Sequence, residues 1–119
     1  MNKYRYARGY VAARLSSLAL LGQLAEETAE LGKAALKLQR VLMNENPTPV
    51  TMEEALVALI EEIADVICAM EIVMQKLDIS LGEDVEPIIE AKAERWADRV
   101  WERYEASHAD REEVPNETD

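Results

Sequence analysis

Apolar residues recur with a helical period over three long stretches of the chain. In the first, residues 3–43, Leu20, Leu24, Leu31 and Leu38 mark one stripe at intervals of four and seven. Gly22 is the expected bend or break, because glycine costs about 1 kcal/mol relative to alanine inside a helix. The segment Asn44-Glu45-Asn46-Pro47-Thr48-Pro49 cannot continue the helix and reads as a loop. Thr51 followed by Glu54 is a capping box that opens a second helix. From Leu56 to Leu77 that helix is apolar on more than one face: Leu56, Leu59, Ile60, Ile63, Val66, Ile67, Met70, Val73, Met74 and Leu77. Such a helix belongs in the middle of a bundle. A third helix is expected from near Asp84, with Pro87 in its first turn, through Trp96 and Trp101 to about Ala106.

These elements predict an all-α fold, an antiparallel helical bundle of three to four helices. Composition agrees: hydrophobic residues make up 49% of the 119, and Gly and Pro number four each. The length suits one domain, residues 1–106, followed by an acidic tail at 107–119 that contains Pro115 and is expected to be disordered. So few helices cannot cover a segment as apolar as 56–77. Oligomerisation is therefore expected to complete the bundle, as a homodimer or homotetramer.

Charge narrows the function. The formal net charge is −11, which disfavours nucleic-acid backbones and anionic membrane surfaces as partners. The one cysteine, Cys68, lies in an apolar stretch and reads as an inert core thiol. With no disulfide framework, no signal-peptide pattern at the N-terminus and no uncharged run of membrane-spanning length, a cytoplasmic location is expected.

Two acidic motifs stand out. On the first helix, Glu26-Glu27-Thr28-Ala29-Glu30 sets three carboxylates on one side, where like charges repel. On the second, Glu61-Glu62-Ile63-Ala64-Asp65 sets Glu62 and Asp65 three apart amid Leu59, Ile60, Ile63, Val66 and Ile67. No basic residue follows on that helix before Gln75. An uncompensated carboxylate in apolar surroundings must be paired, protonated or bound to a metal. Clustered hard oxygen ligands suit Mg²⁺, with Mn²⁺ as a substitute, rather than zinc. The sole histidine, His108, falls in the expected tail, which removes serine–histidine and cysteine–histidine catalysis and the Glu-x-x-His di-iron bundles.

Glu-Glu-x-x-Glu on one helix followed by Glu-x-x-Asp on the next resembles the signature of the MazG-like, all-α nucleoside triphosphate pyrophosphohydrolases. The group also includes dimeric dUTPases and phosphoribosyl-ATP pyrophosphohydrolases. The resemblance spans roughly residues 15–100. It implies Glu27, Glu30, Glu62 and Asp65 as metal ligands, and Glu26 in an outer shell orienting a water. The expected activity is Mg²⁺-dependent hydrolysis of a nucleoside triphosphate to its monophosphate and pyrophosphate, in nucleotide house-cleaning or pool control. Phosphoribosyl-ATP or dUTP as the particular substrate is an alternative. So, from another class, is a non-catalytic helical adaptor. The interval from Glu30 to Glu62 is longer than is usual for the family, and the loop at 44–49 absorbs the difference.

A triphosphate also needs cations. Lys92, Arg95 and Arg99 recur at intervals of three and four on the third helix. The resemblance implies phosphate contacts there, although the asparagine often found just before the family's lysine is absent. The alternative is a solvated face paired with Glu90, Glu94 and Asp98. Lys33 follows the first motif and is a further phosphate candidate. Tyr4, Tyr6, Tyr10, Trp96 and Trp101 are candidates for base stacking, or else core or subunit contacts.

Overall fold

The computed structural model describes residues 2–112. Among them every regular element is helical: α1 (Lys3–Arg14), α2 (Ser17–Met43), α3 (Met52–Lys76), a π-helical turn (Leu81–Val85) and α4 (Glu86–Glu112). The chain forms two compact units, Met1–Ile79 and Ser80–Asp119.

The first helical stretch breaks at Leu15–Ser16 and not at Gly22, which lies inside α2 with ordinary helical backbone. Serine explains the difference. Ser16 is extended, and its hydroxyl accepts the Ala19 backbone N–H at 3.1 Å, satisfying a donor that would otherwise be orphaned. Asn2 caps α1 in the same way, accepting from Tyr4 and Arg5. The expected capping box at Thr51 and Glu54 is present with both of its hydrogen bonds.

Helices α2 and α3 pack as a hairpin along a seam of period 3.5. On α2, from Leu20 onward, the positions withdrawn from solvent are Leu20, Leu24, Glu27, Leu31, Ala34, Leu38 and Val41, at alternating intervals of four and three. On α3 the matching set is Ala55, Leu59, Glu62, Val66, Ala69, Val73 and Lys76, with the same alternation. This spacing keeps both rows facing each other along their length. The best-buried cluster lies where α1 joins the hairpin: Ala12, Leu20, Ile72 and Val73, backed by Val11 and Leu24. Helix α1 runs along the end of α3 in the same sense. Tyr4 and Arg8 both reach Glu71, and the Lys76 ammonium donates to the Ala12 carbonyl at 3.0 Å.

The rest of α3's apolar residues remain outside this seam. Leu56, Ile60, Ile63, Ile67 and Met70 form a second row, one residue further round, and are 40–56% exposed. Cys68 is exposed as well, against the expectation of a core thiol, because 66 and 69 take the seam positions and leave 68 outside them.

Helix α3 ends in a Schellman motif. The Ile79 N–H bonds to the Met74 carbonyl at 2.8 Å, and Asp78 adopts the left-handed conformation, with φ 57°. In the second unit, Ser80 and Asp84 brace the π-helical turn: Ser80 N–H donates to Asp84 Oδ2 at 2.7 Å, and Glu83 N–H to the Ser80 hydroxyl. Helix α4 starts at Glu86, two residues after the expected point, with Pro87 in its first turn. It continues past Ala106 to Glu112, so Ser107 and His108 are helical rather than part of a tail. The His108 ring stacks on Tyr104 with centroids 4.1 Å apart. The remainder of the expected tail, 113–119, lies outside the described residues. No described helix is long and apolar enough to cross a membrane.

Candidate metal centre

Seven residues, about 10 Å at 1.5 Å per residue, separate Leu20 from Glu27 on the α2 seam. Glu27 and Glu62 take positions that Leu, Ala and Val fill elsewhere in the seam, apart from Lys76 at its end. The helix periods therefore turn the two carboxylates toward each other. One oxygen each from Glu27, Glu62 and Asp65 lie within 4.8 Å of one another. The first two residues are half-buried and Asp65 is exposed, so the group opens to solvent on the Asp65 side.

Glu62 is the constrained member. Its Oε2 atom is buried and meets no hydrogen-bond donor among the described residues. Burial holds its carboxyl above the ordinary carboxylate value, and the charges of Asp65, Glu27, Glu30 and Glu61 push it further the same way. Glu27 has one neutral partner, the Gln23 side-chain amide, which donates to Oε1 at 2.7 Å. No lysine or arginine pairs with any of the three among the described residues.

The other motif residues stand apart from this group. Glu30, one turn beyond Glu27, is exposed and faces Lys33 at 3.6 Å. This exposed pair contributes little stability, and it leaves Glu30 free to change rotamer. Glu26 is exposed. Lys92 and Arg95 lie in the second unit, where with Trp96 and Arg99 they line a shallow hollow on α4. None of the five aromatic candidates is buried: Trp96 is 67% exposed and Trp101 62%.

The donor set fits a hard divalent cation. Three converging carboxylates, one of which has a buried oxygen without a donor, make a set of hard oxygen ligands of the kind that Mg²⁺ or Mn²⁺ accepts.

A separate polar cluster, not anticipated from sequence, ties α1 to α3. Tyr4 donates to Glu71 Oε2 at 2.5 Å, and Arg8 pairs with the same oxygen. The Tyr4 hydrogen bond, and after it the Arg8 contacts, hold Glu71 below the ordinary carboxylate range. The same bond raises the Tyr4 hydroxyl. Tyr4 and Arg8 are spaced one turn apart, and that spacing was the available signal. The guanidinium also lies 5.3 Å from the Tyr4 ring centroid.

No family model matches the chain, and neither a curated protein nor a solved structure matches it.

Proposed function

We propose that the protein is a Mg²⁺-dependent nucleoside triphosphate pyrophosphohydrolase of the MazG-like type. The observation that carries this reading is the convergence of Glu27, Glu62 and Asp65, with one Glu62 oxygen buried without a donor, in a seam that is otherwise largely apolar. Glu27, Glu62 and Asp65, joined by Glu30 on a change of rotamer, would hold Mg²⁺ or Mn²⁺, which when bound neutralises phosphate oxygens and activates water. Glu26, exposed beside Glu27, would orient the attacking water by accepting its hydrogen bond. Lys33, on the same helix as Glu27, supplies a cation for phosphate oxygens. Water attacks the α-phosphorus, the bond to the bridging oxygen breaks, and pyrophosphate leaves with a nucleoside monophosphate as the other product. Charge placement and orientation supply the catalysis, so no covalent nucleophile is required.

The exposed apolar row on α3 supports a homo-oligomer, dimer or tetramer, as the working form.

The test is hydrolysis of a panel of canonical and modified nucleoside triphosphates with Mg²⁺ or Mn²⁺, following pyrophosphate and phosphate separately. Pyrophosphate with a matching monophosphate, lost on adding chelator, is the expected result. Activity confined to dUTP or to phosphoribosyl-ATP would narrow the substrate within the same chemistry. A folded protein that is silent on the whole panel, with no melting response to Mg²⁺, would overturn the enzyme reading in favour of the adaptor.

A further inference from the structure

Helix α4 carries an exposed stripe with an unusual arrangement of charge beside it. Ala93, Ala97, Val100 and Tyr104 recur at intervals of four and three, and Trp96 and Trp101 widen the row at its edges. These six side chains line one continuous shallow hollow on the helix surface. Trp101 and Tyr104 are already stacked, with centroids 6.0 Å apart and planes at 24°, so part of the surface is preorganised. Exposed tryptophans in a contiguous apolar row mark an interaction surface more often than a solvated one.

The flanks identify the occupant. At about 100° per residue, Glu94, Asp98 and Glu105 fall along one edge of the stripe. Lys92, Arg99 and Arg103 fall along the other, while Arg95 points away from it. A partner of this pattern needs an apolar row with basic residues on one side and acidic residues on the other. A second copy of α4 has that row. When two copies pair in parallel, a two-fold axis along the helices sets the acidic flank of each against the basic flank of the other, at both edges. Antiparallel pairing instead sets acid on acid and base on base, which is repulsive.

We propose that α4 pairs in parallel and in register with α4 of a second copy, with Val100 facing Val100 across the seam. In this pairing Arg99 and Arg103 are engaged by the partner's Asp98 and Glu105 flank, and Arg95 stays free.

The test uses the full chain and light scattering after size-exclusion chromatography. Lys92→Glu, Arg99→Glu and Arg103→Glu together make both flanks acidic and should halve the mass of the assembly. Glu94→Arg, Asp98→Arg and Glu105→Arg together make both flanks basic and should do the same. An equimolar mixture of the two variants should restore the parental mass, which misfolded variants would not do. Orientation is read in a Cys68→Ser background, because Cys68 is exposed. There, Val100→Cys should form an inter-chain disulfide on mild oxidation, and Glu102→Cys, on the outer face, should not. A monomeric parent, parental mass in both charge variants, or failure of the mixture to reassociate would overturn the pairing. Parental mass in both variants would assign assembly to the α3 row instead. Reassociation without a Val100→Cys cross-link would overturn the parallel register.

Discussion

Glu27 on α2 and Glu62 on α3 face each other from equivalent positions of two helices whose seam otherwise holds mostly Leu, Ala and Val. Repeating the pattern would have put two aliphatic side chains there and a better-packed hairpin. The two carboxylates instead leave one oxygen buried without a donor. Burial without a donor costs local stability where the three acidic groups converge, a cost that the proposed cation would offset when bound.

Glu62→Gln therefore has opposite effects with and without metal. A carboxyl raised above its ordinary value of 4.5 favours the folded state below that value, and the contribution is lost as pH rises through the folded pKa. In chelator, the Gln variant should melt above the parent at pH 7, and the two should converge at pH values below the ordinary carboxylate range. In Mg²⁺ the order should reverse. Melting curves across pH in both buffers check this, and a parent that is the more stable in chelator at pH 7 would refute it.

Metal binding itself is read from the same instrument. A ligand at one hundred times its dissociation constant stabilises by about 2.7 kcal/mol. Parental protein should show a rise in melting temperature with Mg²⁺, and Glu27→Gln or Asp65→Asn should lose it. Glu26→Gln should keep it, since Glu26 stands outside the converging group. Turnover in the first two variants should fall by more than about a hundredfold, since even outer-shell losses typically cost roughly 10–100-fold. Equal melting responses in all three variants would count against the ligand set.

How much of this centre was legible in sequence depends on the helix. On α2 the stripe read as Leu20, Leu24, Leu31 and Leu38, with an interval of seven between the second and third members. Glu27 fills that gap. On α3 apolar residues lie on two faces, so the row holding Glu62 could not be told from the row at Leu56, Ile60 and Ile63. The motif pairing indicated Glu27, Glu62 and Asp65 but not that Glu30 would stand off with Lys33, because rotamers are not written in spacing. The break at Leu15–Ser16 was missed because a serine hydroxyl competing for a backbone N–H was weighed less than the backbone freedom of Gly22. The Tyr4–Glu71 contact joins residues 67 positions apart, a separation that periodicity within one helix does not reach.

Tyr4→Phe should test the tie between α1 and α3. Glu71, lowered by the Tyr4 hydrogen bond, contributes stability that is present above the ordinary carboxylate value and lost as pH falls through its folded value. Removing the hydroxyl should cost about 0.5–1 kcal/mol at pH 7, the discount reflecting Tyr4's exposure. The loss should shrink on acidification. Denaturant titration at pH 7 and in acid measures it, and a loss that does not depend on pH would refute the role of Glu71.

Asp78→Gly should stabilise. Asp78 occupies the left-handed region at the end of α3, a conformation glycine adopts without a Cβ penalty. A gain of about 0.5–1 kcal/mol is expected in equilibrium unfolding. A loss would mean that the aspartate side chain contributes more than the backbone conformation costs.

The hairpin also sets where the chain tolerates insertions. Glu27 and Glu62 are aimed by two heptad rows, each counted from its own helix, and the residues at 44–50 only return the chain from one to the other. Lengthening that connection adds closure entropy that grows slowly with length and leaves Glu27 opposite Glu62. One residue inserted between Leu24 and Glu27 would instead swing the carboxylate by about 100° out of the seam. Two sequences could then differ by many residues in the loop and share the centre, while another of unchanged loop length lost it to a single added residue.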